Sequence, residues 1–213
     1  MATLVVVRHG EAEGNYSHRF IGQSQMQLTD EGHRQAEVLA ARLSSLPVTR
    51  LVSSDLLRST ATLEPLSRVA GLAVETDSRL REIDNGEWTG LLPEEIRQGW
   101  PEMWADYVAG MDVPRPGGER WIDVARRVIP VADELLSEDG TVVVASHGGP
   151  VLILAMWASG ISIEGNIFRG RLASLGNASV TMIEPGPRLL TFNDVGHLMA
   201  SPDQRLPFEE VES

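Results

Sequence analysis

Two short apolar runs in this 213-residue chain each end within one residue of a histidine. Residues 3–7 (TLVVV) precede Arg8 and His9, and residues 141–146 (TVVVAS) precede His147. Runs this rich in β-branched residues are typical of strands that are buried on both faces. In open α/β sheets, functional side chains follow the carboxyl ends of parallel strands. We therefore expect the two histidines at the same edge of one sheet.

The remaining sequence alternates between helix and strand patterns. Helix patterns occupy residues 29–43, 56–71, 120–136 and 150–160, and strand patterns occupy residues 49–55, 178–185 and 188–194, the last two as a hairpin. This alternation predicts an α/β fold, specifically a three-layer α/β/α sandwich around a mostly parallel central sheet.

Residues 1–213 are expected to form a single domain, because this length is enough for one sizeable core. Residues from about 91 to 118 interrupt the alternation with tryptophans and prolines. We expect them to form a small helical cap over the site, in which Trp100 and Trp104 are core residues rather than a ligand platform. Residues from about 200 to 213 are acidic and contain proline, which predicts a loose C-terminal tail.

Composition excludes several kinds of chemistry. The chain has no cysteine and no lysine, and all 18 of its basic residues are arginine. Disulfides, thiolate metal sites, cysteine nucleophiles and lysine Schiff bases are therefore ruled out. The net charge of −12 argues against nucleic acid and anionic membranes as partners. The N-terminal apolar run is too short for a secretory signal or a membrane span, so we expect a cytoplasmic protein.

Candidate catalytic residues occur in five short segments. These are RHGE at residues 8–11, Asn15, SSDLLRS at residues 53–59, LREIDNGEW at residues 80–88, and SHGG at residues 146–149. Each residue alone has an ordinary structural explanation. Arg58 could pair with Asp55 at the surface, and Glu11 and Glu87 compete with Glu82 as the acid. The other histidines, at positions 18, 33 and 197, are expected in structural or surface roles.

Taken together and in this order, the segments resemble the histidine phosphatase superfamily, which includes the cofactor-dependent phosphoglycerate mutases. The resemblance extends from residue 3 to about residue 198. It also includes LTDEGHRQA at residues 28–36, PGGE at residues 116–119 and NDVGHL at residues 193–198.

The resemblance implies a role for each matching residue. His9 would be the nucleophile that becomes phosphorylated, Arg8 and Arg58 would clamp the phosphate, and His147 would be a further phosphate ligand. Glu82 would donate the proton to the leaving group. For substrate binding, the resemblance adds the amide of Asn15 near the phosphate, the backbone N–H of Gly148, and Gln23 in a loop that approaches the substrate.

Two residues depart from the family pattern. Asn85 stands where an apolar residue is usual, and Ala12 replaces a common hydroxyl residue. Because neither position is one of the inferred reacting groups, these departures bear on substrate specificity more than on activity.

The expected activity is hydrolysis of small-molecule phosphate monoesters, with no metal ion and no cofactor, since arginines supply the positive charge. The expected partner is a small phosphorylated metabolite, and the resemblance allows a homodimer. A cofactor-dependent phosphoglycerate mutase is the alternative. The only basic residues between Gly90 and Gly117 are Arg97 and Arg115, and this segment is weakly basic compared with the cap of a mutase. A non-catalytic module that binds phosphorylated ligands is less favoured, because all the reacting groups are present.

Overall fold

A computed structural model describes residues 1–165 and 175–200 of the chain. Within these ranges six strands form one sheet, in the order β3-β2-β4-β1-β5-β6. The first four of these pair in parallel, and β5 and β6 join them antiparallel as a hairpin. The strands are β1 (Thr3–Arg8), β2 (Val48–Ser53), β3 (Val74–Thr76), β4 (Thr141–Ser146), β5 (Val180–Glu184) and β6 (Arg188–Asp194).

Six α-helices accompany the sheet in the described residues. They are α1 (Asp30–Leu43), α2 (Leu57–Ala70), α3 (Pro93–Gly99), α4 (Pro101–Ala109), α5 (Trp121–Leu136) and α6 (Gly148–Ala158). The helix signals in the sequence act as expected at two ends. Thr29 caps α1 by accepting a hydrogen bond from the N–H of Gly32, and Gly71 ends α2 in the left-handed conformation.

The helices cover both faces of the sheet, which confirms the three-layer α/β/α sandwich. Along β1, Leu4 and Val6 point into one core with residues of α5 and α6. Val5 and Val7 point into the other core with residues of α1 and α2. The period-2 alternation of a strand explains this division, and burial on both faces explains why the run is continuously apolar.

Residues 91–118 contain the two short helices α3 and α4. Their aromatic side chains pack around the fully buried Trp88, against which Trp100, Trp104 and Tyr107 are partly buried. Trp88 meets Tyr107 edge-on at 5.8 Å between ring centroids. These residues form a third, smaller apolar cluster beside the main sheet.

The structure bears on two further predictions, one about the C-terminal tail and one about membrane spans. The loose tail expected at residues 200–213 lies almost wholly outside the described residues. Within the described part of the chain, no helix combines the length and apolarity that a bilayer crossing requires.

Candidate active site

The pairing of β1 with β4 brings the two histidines together. Arg8 lies opposite Ser146 in the parallel register, and the N–H of His9 donates to the carbonyl of Ser146 at 2.9 Å. His9 and His147 therefore follow neighbouring strand ends, and their ring centroids are 5.2 Å apart. Both side chains are buried, with exposed fractions of 5% and 0%. The convergence that the sequence predicts is present in the structure.

The ring of His9 is held in one orientation. Its Nδ1 lies 2.6 Å from the carbonyl oxygen of Gly10, and an oxygen acceptor at this position places the ring proton on Nδ1. Burial, followed by the positive charges of Arg8 and Arg58, lowers the pKa of His9 well below its ordinary value of 6.5. His9 is therefore neutral at pH 7, with a lone pair on Nε2.

Gly10 is required by close packing beside His9. A Cβ at this position would lie 2.7 Å from the carbonyl oxygen of Gly32 at the start of α1. The N–H of Gly10 also donates to the hydroxyl of Thr62 on α2, at 2.9 Å. The segment that carries His9 is thus fixed against both helices on this face of the sheet.

His147 is held by Ser54, which follows β2. The Nε2 of His147 and the hydroxyl of Ser54 are 2.8 Å apart. The N–H of Leu56 donates to the same hydroxyl at 3.3 Å, so we assign the hydroxyl proton to His147 Nε2. Burial, followed by the charge of Arg58, lowers the pKa of His147 well below 6.5. The ring proton of this neutral imidazole is then on Nδ1, which has no hydrogen-bond partner among the described residues.

Arg8 and Arg58 are anchored by backbone carbonyls rather than by carboxylates. Arg58 donates from Nη1 to Ser24 at 2.7 Å and from Nη2 to Gly22 at 2.8 Å. Arg8 donates to the carbonyl of Leu175. Burial is the main cause that lowers the pKa of Arg8 and brings that of Arg58 to about 10. Both guanidiniums remain charged at pH 7 and have no salt-bridge partner among the described residues.

The structure does not contain the surface ion pair between Arg58 and Asp55 that the sequence allows. Arg58 is only 3% exposed. Asp55 forms its ion pair with Arg81, whose Nε lies 2.6 Å from one carboxylate oxygen. This pairing also removes Arg81 as a partner of the neighbouring Glu82.

Glu82 faces the same cavity as His9. Its Oε1 accepts from the N–H of Ile83 at 2.9 Å, and its Oε2 accepts from the N–H of Gly149 at 3.2 Å. Its backbone carbonyl accepts from Gln23 Nε2 at 3.1 Å and from Arg127 Nη2 at 2.9 Å. The position of this carboxyl group is therefore fixed from both its side chain and its backbone.

The competing carboxylates lie elsewhere. Glu11 accepts hydrogen bonds from the hydroxyls of Tyr16 and Thr29, each at 2.6 Å. Glu87 is exposed. Neither lines the cavity that contains His9 and Glu82, which favours Glu82 as the acid.

The cavity has a volume of about 300 Å³ and brings most of the predicted site residues together. Arg8, His9, Asn15, Arg58 and Glu82 all line it. Asn15 also accepts from the N–H of Ala12 through its Oδ1 at 2.7 Å, and Ala12 lines the cavity as well.

Three predicted residues are adjacent to this wall rather than part of it. His147 is fully buried beside His9 and does not line the cavity. Gly148 begins α6, where a backbone N–H has no acceptor within the helix. Gln23 bonds to the backbone of Glu82 and to the side chain of Arg81, so the described contacts place it as a support for Glu82. Direct substrate binding by Gln23 and Gly148 remains a prediction.

The remaining histidines lie outside the cavity wall. His18 and His33 are exposed. His197 is near Arg42 and Asp194, and its Nδ1 lies 2.9 Å from Arg42 Nη1. This position supports a structural role for His197.

The members of the cavity wall that sequence reasoning missed include Asn85, Tyr107, Arg115 and Trp121. The sequence marks Asn85 only as a departure from a motif, and Arg115 only as part of a weakly basic stretch. No local pattern indicated that the side chains of Tyr107 and Trp121 reach the site.

Comparisons with known proteins agree with this geometry. A sequence profile described as the histidine phosphatase superfamily (branch 1) matches residues 4–195. A glucosyl-3-phosphoglycerate phosphatase from Mycobacterium tuberculosis is 34% identical over 199 residues, covering 84% of this chain and 84% of the relative. A 2,3-bisphosphoglycerate-dependent phosphoglycerate mutase from Brucella ovis is 34% identical over 177 residues, covering 76% of this chain and 84% of the relative. The native structure of a mycobacterial glucosyl-3-phosphoglycerate phosphatase superposes with a TM-score of 0.78 at 32% identity, covering 90% of this chain and 98% of the other.

Proposed function

The chain belongs to branch 1 of the histidine phosphatase superfamily and is a phosphatase, and from this premise we propose that His9 and Glu82 carry its hydrolysis of small phosphate monoesters. One observation carries this assignment. The neutral imidazole of His9, with its lone pair on Nε2, lies in a cavity that also contains two carbonyl-anchored guanidiniums, those of Arg8 and Arg58, and the carboxyl group of Glu82. This set contains a nucleophile, an anion clamp and a proton carrier.

In the first step, Nε2 of His9 attacks phosphorus and the bond from phosphorus to the ester oxygen breaks. Glu82, in its protonated form, gives its proton to that oxygen, so the product leaves as an alcohol. Arg8, Arg58 and the Nδ1–H of His147 donate to the equatorial oxygens. Such preorganised, charge-assisted donors typically contribute about 3–4 kcal/mol each to stabilising a transition state.

In the second step, water attacks the phosphorus of phosphohistidine. Glu82, now a carboxylate, accepts a proton from the water, and the P–N bond breaks to return its electron pair to His9. Inorganic phosphate then leaves. Formation of the covalent intermediate divides one displacement into two easier ones.

The size of the cavity favours a small metabolite as the substrate. A volume of about 300 Å³ is at the lower end of the range of small-molecule sites. The relatives act on glucosyl-3-phosphoglycerate, phosphoserine and phosphoglycerate according to their names. These compounds are therefore the first candidates for this chain.

The proposal is tested with His9→Ala and a panel of metabolite monoesters assayed for phosphate release. We expect release by the wild type, inhibition by vanadate, and loss of release in His9→Ala. His33→Ala is the matched control, because His33 is an exposed histidine on α1 outside the cavity wall. Full activity in His9→Ala would remove the assignment. Tight phosphate binding with no turnover and no trapped phosphohistidine would instead favour the non-catalytic alternative.

The mutase alternative is supported by the identity to the Brucella enzyme. It predicts interconversion of 2- and 3-phosphoglycerate after priming with the bisphosphate. A coupled enolase assay measures this, and we expect phosphate release to exceed interconversion.

A further inference from the structure

The carboxyl group proposed to carry the proton is attached to a segment without regular secondary structure. Residues 82–85 lie between two short 3₁₀ helices, Ser78–Leu80 and Gly86–Trp88, and belong to no helix or strand. The backbone of such a segment has no regular ladder of hydrogen bonds to hold it. A side chain on irregular backbone keeps a fixed position only when surrounding groups support it. The groups that support the backbone of Glu82 therefore bear on the reaction.

Arg127, on α5, supports this segment from one side. It makes five hydrogen bonds, one for each N–H of a guanidinium. Nη1 donates to the carbonyls of Arg79 at 2.7 Å and Arg81 at 2.6 Å, and Nη2 donates to the carbonyl of Glu82 at 2.9 Å. The other two bonds, from Nε and Nη2, go to the carboxylate oxygens of Glu119 at 2.8 and 2.9 Å. This guanidinium is fully used in holding other groups in place.

Glu119 supports the segment from the other side. Its Oε2 accepts from the N–H of Asp84 at 2.8 Å, and its own N–H donates to the carbonyl of Asp84 at 2.9 Å. Since Arg127 holds the carbonyls up to Glu82, the backbone is fixed on both sides of this residue. Glu119 is the last residue of the PGGE segment at residues 116–119, and the proposed reaction does not otherwise use it.

The turn that carries Glu119 packs directly against the backbone that follows Glu82. A Cβ at Gly118 would overlap with the carbonyl oxygen of Asp84, and a Cβ at Gly86 would overlap with the carbonyl oxygen of Pro116. Two pieces of backbone can approach this closely only where both lack a side chain. The two glycines thus allow the turn to present Glu119 to Asp84 in one orientation.

The neighbouring arginine of α5 is held quite differently. The side chain of Arg126 is 71% exposed, and it pairs with Asp123 of the same helix at 2.9 Å. The side chains of Arg127 and Glu119 are only 18% and 23% exposed. An ion pair that merely joined α5 to a loop would need the carboxylate alone. The bonds from Arg127 to three successive parts of the backbone are what the support of a segment requires.

We infer that Arg127 and Glu119 are positioning residues, which fix the backbone around Glu82 so that its carboxyl group meets the leaving oxygen of the substrate. This inference rests on the proposed function, because it takes Glu82 as the proton donor. Neither Arg127 nor Glu119 lines the cavity, so their effect on the reaction passes through Glu82. The phosphate-binding groups of Arg8 and Arg58 are anchored on other carbonyls and should keep their places.

Two kinds of monoester separate the proton donor from the rest of the site. 3-Phosphoglycerate and phosphoserine are alkyl esters, and their leaving oxygen takes a proton as the P–O bond breaks. p-Nitrophenyl phosphate releases a phenolate that is stable without a proton. Because kcat/KM covers the steps up to formation of phosphohistidine, a misplaced Glu82 should reduce kcat/KM for the alkyl esters and hardly affect it for p-nitrophenyl phosphate. A merely structural role would reduce both alike.

The test compares Arg127→Met with the wild type on p-nitrophenyl phosphate and on the alkyl ester that the wild type hydrolyses faster. We expect kcat/KM to fall roughly 10- to 100-fold for the alkyl ester and less than about threefold for p-nitrophenyl phosphate, since a displaced general acid loses most of its contribution. The inhibition constant of inorganic phosphate should be unchanged. Equal losses on both esters, or no loss on the alkyl ester, would overturn the inference.

Two more variants complete this comparison. Glu119→Gln weakens the same support and should shift the two esters in the same unequal way, which keeps the test decisive if circular dichroism shows that Arg127→Met is not folded. Arg126→Met is the matched control for removing an arginine from α5, and it should behave as the wild type on both esters. An equally unequal loss in Arg126→Met would contradict the inference.

Failure of the proposed function gives a different result. If the wild type releases no phosphate from the alkyl esters, the metabolite phosphatase is refuted, and the support of the segment is judged by amide hydrogen exchange measured by NMR. Faster exchange at the N–H of Asp84 in Arg127→Met than in Arg126→Met would support the positioning role. Equal exchange in the two variants would overturn it.

Discussion

The burial of His9 and His147 as neutral imidazoles makes the stability of the protein depend on pH. Burial and the neighbouring arginines hold both pKa values well below 6.5. The unfolded chain takes up a proton at each histidine near pH 6.5, whereas the folded protein does not. The folded state thus binds fewer protons, so its stability is present above pH 6.5 and is lost as the pH falls.

The size of this effect follows from the difference in bound protons. Between pH 7.5 and pH 5.5, one histidine that titrates at 6.5 only in the unfolded chain lowers the free energy of unfolding by about 1.4 kcal/mol. His9 and His147 together should therefore lower it by about 2.7 kcal/mol. Carboxylates contribute little over this interval, because they ionise mainly below it in both states.

The measurement is urea unfolding followed by circular dichroism in phosphate-free buffer at pH 7.5, 6.5 and 5.5. The comparison is with the double variant His9→Asn/His147→Asn, in which all other titrating groups are retained. The wild type should lose about 2.7 kcal/mol more than the variant over this interval, and between pH 7.5 and 8.5 the two should run parallel. The same loss in both proteins would refute the view that these imidazoles are buried and neutral.

Two further substitutions test how the reacting groups are positioned. Ser54→Ala removes the hydroxyl that fixes the tautomer of His147. We expect kcat/KM to fall about tenfold, which corresponds to the loss of one hydrogen bond of ordinary strength. An unchanged kcat/KM would contradict the assigned tautomer. Gly149→Ala places a Cβ 2.4 Å from Cζ3 of Trp121 and 2.5 Å from Oε1 of Glu82, two side chains of the cavity wall. Since a displacement of about 1 Å can reduce catalysis about 100-fold, kcat should fall by 10- to 100-fold. Gly99→Ala, where a Cβ meets nothing within 4 Å, is the control, and an equal effect of both glycine substitutions would reject the role given to Glu82.

The main elements of the fold could be predicted because their patterns are local. The β-branched run of β1 is buried on both faces, and the stripe of Ala36, Leu39, Ala40 and Leu43 on α1 is buried as its spacing indicates. The strand β3 was not predicted, since Val74–Thr76 is too short to show a periodicity. It is defined by its pairing with β2, which is a tertiary contact.

The convergence of the two histidines could be predicted for a different reason. His9 and His147 follow strands that pair in parallel, so their meeting is a consequence of topology. Arg115 could not be placed in this way. Its position depends on how the rings of Trp88, Tyr107 and Trp121 pack around its guanidinium, which is a tertiary arrangement. A count of the arginines in the cap segment treats Arg115 as equivalent to Arg97.

The difference between Arg115 and Arg97 bears on the choice between hydrolysis and phosphoryl transfer back to the product. A mutase has to retain an intermediate that carries a carboxylate and a second phosphate while it excludes water. Of the two arginines in the cap segment, Arg97 is paired with Glu94 at the surface and does not line the cavity. Arg115 alone remains, with charge for a carboxylate but not also for a second phosphate. One guanidinium is too little positive charge to hold both of these groups while water is excluded, which favours hydrolysis over phosphoryl transfer back to the product.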